Sequence, residues 1–178
     1  MPHSTPPPTP SPALPALTVR PASTDDRPVL ERLWLLFRHD LSRFTGALPR
    51  ADGTFRSERL EAALMDPGWA AYLASRGDCP VGFAFVRSLE RQPHVLNSFF
   101  TVAAVRGTGV GSALAQHVLT RHPGRWEVAF QEANTVAAHF WRKLAAAHDP
   151  QWCEERRDVP GRPHVPADSW ISFNVRPA

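Results

Sequence analysis

Lysine is almost missing from this chain: Lys143 is the only one, so the formal charge of +3 and the pI near 9.5 rest on arginine. A nucleic-acid surface would cluster basic residues among aromatics, whereas here arginines are dispersed between acidic residues, as in the mixed run Glu154-Glu155-Arg156-Arg157. No nucleic-acid partner is expected, and the arginine bias reads as the mark of a GC-rich bacterial genome. Cysteine is scarce too. Cys79 and Cys153 stand far apart, which excludes a C-x-x-C zinc knuckle or a disulfide framework and leaves two reduced thiols with no metal site. No apolar run approaches the ~18 residues of a membrane span, and the first residues lack a basic and then apolar leader. The expected location is cytoplasmic, with no membrane partner.

What is present is a chain of 178 residues, 43% hydrophobic, enough for one sizeable core. Residues 1–16 are rich in Pro, Ser and Thr and cannot bury enough apolar surface to offset their ordering entropy; they are expected to be a disordered tail ahead of a single domain over 17–178. That domain opens with a short strand at 17–20, then Ser23-Thr-Asp-Asp26, an N-cap hydroxyl followed by first-turn carboxylates. Leu30, Leu33, Trp34, Phe37, Leu41 and Phe44 recur at helical spacing, which predicts an amphipathic helix ending at Gly46. A second short helix is predicted over 57–65, and the loop between the two could wall a cleft.

Two strands at 70–75 and 81–88 flank Arg76-Gly77-Asp78 as an antiparallel hairpin, and a third at 95–102 should pair with the second. Beyond it come a helix with the face Ala113, Leu114, His117, Val118, a strand at 126–130, a helix with the face Val136, Phe140, Trp141, Leu144, and a closing strand at 170–175. A further strand near Glu154 is an open option. Hairpins first, then strands separated by helices, predict an α+β fold with a mixed central sheet flanked by helices.

The glycines at 107, 109 and 111 fall where a strand gives way to a helix. Main-chain N–H groups at a helix start lack internal partners and carry a partial positive charge, so the loop Arg106-Gly107-Thr108-Gly109-Val110-Gly111 suits a phosphate. It is no P-loop, which needs Gly-Lys-Ser/Thr, and no dinucleotide fingerprint, which needs glycine where Ser112 stands.

Arg106-x-x-Gly109-x-Gly111 resembles the signature of the GNAT acyltransferases, Arg/Gln-x-x-Gly-x-Gly/Ala, and the order of elements from about Leu17 to Val175 is similar as well. The resemblance looks closest to a branch with a Phe-Trp-Arg-Lys helix ending, here Phe140-Trp141-Arg142-Lys143. It implies a GNAT-like fold, acetyl-CoA as co-substrate with its diphosphate on the loop amides, pantetheine along the main chain of Phe99, Phe100 and Thr101, and a cofactor contact from Asn134, which is otherwise a helix N-cap. The implied reaction is acetyl transfer to a primary amine of a small molecule or peptide by direct attack in a ternary complex. A catalytically degenerate acyl-CoA sensor is the alternative, and a homodimer is among the options for assembly.

An amine of pKa ~10 must lose a proton before it attacks a thioester. Where the family often places glutamate and tyrosine for proton transfer, this chain has Ala129 and Trp141, and its only tyrosine, Tyr72, lies on an early strand. Glu127, two residues before Ala129 and on the same strand face, is the candidate base, weighed against a structural ion pair. Glu132 and His139 are weaker candidates, Ser98 reads as a strand hydroxyl, Arg142 and Lys143 could approach the 3'-phosphate, and Asp40, Asp52 and Glu58 could attract a cationic amine.

Overall fold

The structure is a computed structural model, described here for residues 15–161 and 165–177. Most of the proline-rich segment at 1–16 lies outside the described residues. The chain runs β1 (Leu17–Pro21), α1 (Arg27–Thr45), α2 (Glu58–Met65), β2 (Trp69–Arg76), β3 (Cys79–Arg87), β4 (His94–Thr101), α3 (Val110–Arg121), β5 (Gly124–Phe130), α4 (Thr135–His148), β6 (Cys153–Arg157) and β7 (Asp168–Val175). The expected order is present, including the strand near Glu154. Ser23 caps a single 3-10 turn that leads into α1, receiving Asp25 N–H at 3.3 Å while its own N–H reaches Asp26 Oδ2 at 3.0 Å. Gly46, at φ +64°, ends α1 in the left-handed conformation that glycine adopts without strain.

The seven strands form one mixed sheet in the order β1-β2-β3-β4-β5-β7-β6. Every neighbouring pair is antiparallel except β4 and β5, which are parallel. Helices cover both faces. On one, α3 and α4 bury Val110, Leu114, Val118, Ala138 and Ala145 against Trp126, Val128 and Ile171. On the other, α1 and α2 bury Leu30, Leu33, Trp34 and Leu60 against Phe83, Phe85 and Phe100. Two expected faces need correction. Ala113 is exposed because the inward stripe of α3 runs Val110, Leu114, Val118 with Ala115 and Leu119 beside it, and Val136 is 74% exposed on the first turn of α4.

β4 departs from regular alternation. Phe85 pairs with Ser98 but Val86 pairs with Leu96, which leaves Asn97 as an extra residue, a β-bulge. Leu96 therefore belongs to the α3/α4 core, and beyond the bulge Phe99 packs toward that core while Phe100 enters the α1/α2 core. Were Asn97 an ordinary paired residue, Leu96 and Phe100 would share a face, since side chains alternate with period 2.

Candidate active site

The parallel pairing of β4 with β5 stops where the bulge begins: His94, Val95 and Leu96 pair with Trp126, Glu127 and Val128, and nothing beyond Leu96 is paired to β5. The two strands part there. Val102 N–H donates to Val81 O at 2.9 Å, and alternate residues of an antiparallel ladder address the same neighbour, so Phe100 turns its main chain to β3. Phe99 and Thr101 turn theirs to the open side. Arg106 donates to the Thr101 carbonyl from Nε at 3.0 Å and from a terminal nitrogen at 2.9 Å, leaving the amides of Phe99 and Thr101 and the Phe99 carbonyl along the opening.

The glycine loop sits at the foot of this opening. The first helical bond of α3 is Ala113 N–H to Gly109 O, at 3.0 Å. The N–H groups of Gly107, Gly109, Val110, Gly111 and Ser112 have no acceptor among the described residues. Gly107 and Gly109 take φ of +77° and +88°, a conformation that L side chains rarely adopt, and a Cβ on either would meet nothing within 4 Å. The loop is thus a row of unpartnered donors at a helix N-terminus, with no side chain at Gly107, Gly109 or Gly111. That arrangement fits a diphosphate.

A cleft of about 550 Å³ joins the loop, the open edge of β4, the start of α4 and the second half of α1. On the α4 side, Phe99 packs against both Phe140 and Trp141 with ring centroids 5.8 and 5.0 Å away, an aromatic cluster that braces the parted strand. Asn134 caps α4, its side chain accepting Ala137 N–H at 3.2 Å, and it lines the cleft as well. On the α1 side, the hydrophobic stripe divides. Leu30, Leu33 and Trp34 are buried in the core, whereas Phe37, Leu41 and Phe44 are half-buried and face the cleft.

Residues 31–146 match the acetyltransferase (GNAT) family. The chain belongs to that family. Among solved structures, this GNAT fold is similar to an acetyltransferase of Thermus thermophilus (TM-score 0.63, 19% identity, covering 91% of this chain and 99% of that one). It is similar also to the ribosomal-protein-S18-alanine N-acetyltransferase of Escherichia coli (TM-score 0.61, 15%, 92% and 96%). A third is Naa50 of Arabidopsis thaliana in complex with the bisubstrate analogue CoA-Ac-MVNAL (TM-score 0.61, 16%, 89% and 98%). No curated protein gives a significant sequence match.

Within this GNAT domain, Glu127 is 8% exposed and does not line the cleft. Arg157 of β6 binds both of its oxygens, at 3.0 and 2.9 Å, and Ser172 Oγ adds a bond at 3.3 Å. These hydrogen bonds, the arginine's foremost, hold its carboxyl below the usual range against the opposing effect of burial. Glu132 is held below its ordinary range by a hydrogen bond from Ser169 first and then by Arg142, and Arg142 is shared between Glu132 and Glu154, which commits it away from any phosphate. His139 and Lys143 are exposed outside the cleft lining. Ser98 is buried and donates to Asn97 Oδ1 at 3.3 Å. Asp52 turns back to Thr54 and Glu58 pairs with Arg56, neither at the cleft.

Asp40 does line the cleft, where it is ion-paired with Arg106. Arg106 therefore links α1, the end of β4 and the loop through its side chain, with its guanidinium over Phe100 at 5.6 Å. Tyr72 does not line the cleft, and its hydroxyl lies 2.6 Å from His122 Nε2. Phe37, Leu41, Arg43, Phe44 and Phe140 are cleft residues that sequence reasoning assigned to the core or passed over. The signal was the length of the α1 stripe, which runs two turns past the point where β3 and β4 offer it a core.

Proposed function

We propose that the chain transfers an acetyl group from acetyl-CoA to a primary amine by direct attack in a ternary complex. The observation that carries this reading is the run of unpartnered amides from Gly107 to Ser112 beside the open main chain of β4. Gly107, Gly109, Val110, Gly111 and Ser112 hold the diphosphate through their N–H groups, and Thr108 continues the loop between them. Phe99 and Thr101 pair their free main-chain groups with the pantetheine amides, while Phe100 contributes only side-chain wall. Asn134 stands at the same mouth from the α4 side, and Arg106 keeps the loop and the end of β4 in register.

When bound, acetyl-CoA supplies an activated acyl thioester. A main-chain N–H of β4, aimed where negative charge develops on the acyl oxygen, is worth about 3 kcal/mol in reactions of this type. Glu127, committed to Arg157, serves as the structural partner of β6 rather than as the base, and the acceptor amine gives its proton to solvent. That solved relatives include a protein acting on a ribosomal-protein alanine and one holding a peptide bisubstrate analogue supports an amine acceptor. The test is thiol release from acetyl-CoA with a panel of amines. Turnover on at least one amine is expected, and tight cofactor binding with none turned over would replace the transferase with a sensor.

A further inference from the structure

Resting on the transferase reading, we infer that the acceptor is a weakly basic amine on an apolar body, of the kind found in an aromatic α-amino amide, and not a polycation or a lysine ε-amine. The loop and α4 lie on one face of the sheet and α1 lies on the other. A cofactor held by the loop and α4 therefore presents its acyl end through the gap beside β4 to the α1 side, and α1 lines the acceptor's half of the cleft. That half is walled by Phe37, Leu41, Phe44 and the Phe100 ring, a surface that rewards an apolar group with the burial of its area.

Its charges oppose a cationic guest. The one carboxylate among the described residues lining the cleft, Asp40, is bound to Arg106. Glu127 of β5, outside the cleft lining, is bound by Arg157 through both oxygens. Arg43 faces the same space with its guanidinium over the Phe44 ring at 5.4 Å and no carboxylate partner among the described residues. Among the described residues the cleft thus offers a cation one unpaired positive neighbour, Arg43, and no free anion.

The chemistry selects the same way. The acceptor nitrogen forms the C–N bond with its lone pair as the C–S bond breaks; sulfur leaves with that bond's electron pair, and the proton lost from nitrogen balances the thiol that forms. Only the neutral amine can begin this. At pH 7 an α-amine of pKa ~7.8 is roughly 300 times more often neutral than an ε-amine of pKa ~10.4.

The experiment compares kcat/KM at pH 7 for phenylalaninamide, glycinamide, Nα-acetyl-lysinamide and spermidine. Calorimetry of the same amines with CoA-loaded protein, which cannot turn over, reads binding alone. Phenylalaninamide should exceed glycinamide by about tenfold or more through the apolar wall. It should exceed Nα-acetyl-lysinamide by at least thirtyfold, and spermidine should give no binding signal. Arg43→Glu should raise spermidine turnover relative to phenylalaninamide by about threefold or more. Preference for spermidine or the lysine amine by a protein that binds acetyl-CoA would overturn the acceptor assignment alone. Failure to bind acetyl-CoA would defeat the transferase reading beneath it.

Discussion

Gly109→Glu tests the loop most directly, because its effects on folding and on binding separate. Gly109 sits at φ +88°, where a non-glycine residue costs about 1–2 kcal/mol, partly offset by the ~0.4–1 kcal/mol gained from stiffening the unfolded chain. A Cβ there meets nothing within 4 Å, so no steric term is added. The net loss of about 1 kcal/mol lowers Tm by roughly 2–4 °C for a domain of this size, and Gly109→Ala should show the same fall. Binding differs between the two variants. A carboxylate placed ~5 Å from a doubly charged diphosphate, at an effective dielectric of ~40–80, opposes it by ~2–3 kcal/mol, or about 30- to 150-fold in Kd. Calorimetry with CoA and with dephospho-CoA should show equal losses for Gly109→Glu, since both ligands carry the diphosphate, and only a few-fold change for Gly109→Ala. A glutamate variant that matches the alanine variant in Tm and wild type in CoA affinity would refute the placement of the diphosphate on these amides.

Arg157→Ala should lower stability by about 1–3 kcal/mol in urea titration, because it strands the nearly buried Glu127, while Glu127→Gln should retain acetyl transfer if that residue is structural. Gly82→Ala places a Cβ 2.5 Å from the Phe100 carbonyl, so β3 must move from β4; a loss of about 1–3 kcal/mol is expected, together with weaker CoA binding, by the same titration and calorimetry. Burial, with His94 and Arg121 adding to it, lowers the pKa of His122 below its ordinary value. The unfolded chain then takes up a proton that the folded chain resists, so stability should fall as pH drops below ~6.5 and level off below the folded pKa. His122→Gln should flatten that part of a Tm-against-pH curve. The Glu127 pair has the lowered-carboxylate sign: its contribution is present above ~4.5 and is lost as pH falls through the folded value, which Arg157→Ala should abolish.

Local chemistry was legible in the sequence where a short stretch of chain decides the outcome. The cap at Ser23, the stop at Gly46, the hairpin turn at Gly77 and the glycine loop each depend on a few contiguous residues. The fold followed from these once helical and strand periods were counted. What escaped was settled by partners distant along the chain. Glu127 looked available as a base because Arg157, thirty residues on, arrives only when β6 pairs with β7. Leu41 and Phe44 continue the spacing of a core stripe in which Phe37 still packs on Phe83 and Phe100, and only the end of β4 beneath α1 shows that these two have left the core. Asn97 gives no compositional hint of a bulge, since Val95-Leu96 and Phe99-Phe100 are apolar at adjacent positions, as in a strand buried on both faces, and fix no period.

That single unmatched asparagine has an evolutionary corollary. Excising its codon would set Ser98 directly after Leu96, keep every following residue of the strand on its present face, and let the hydrogen-bond ladder continue alongside its parallel neighbour. The slot in the sheet is thus one in-frame deletion away from closure, and homologues that lost the reaction could be sought by strand length before any catalytic side chain is compared.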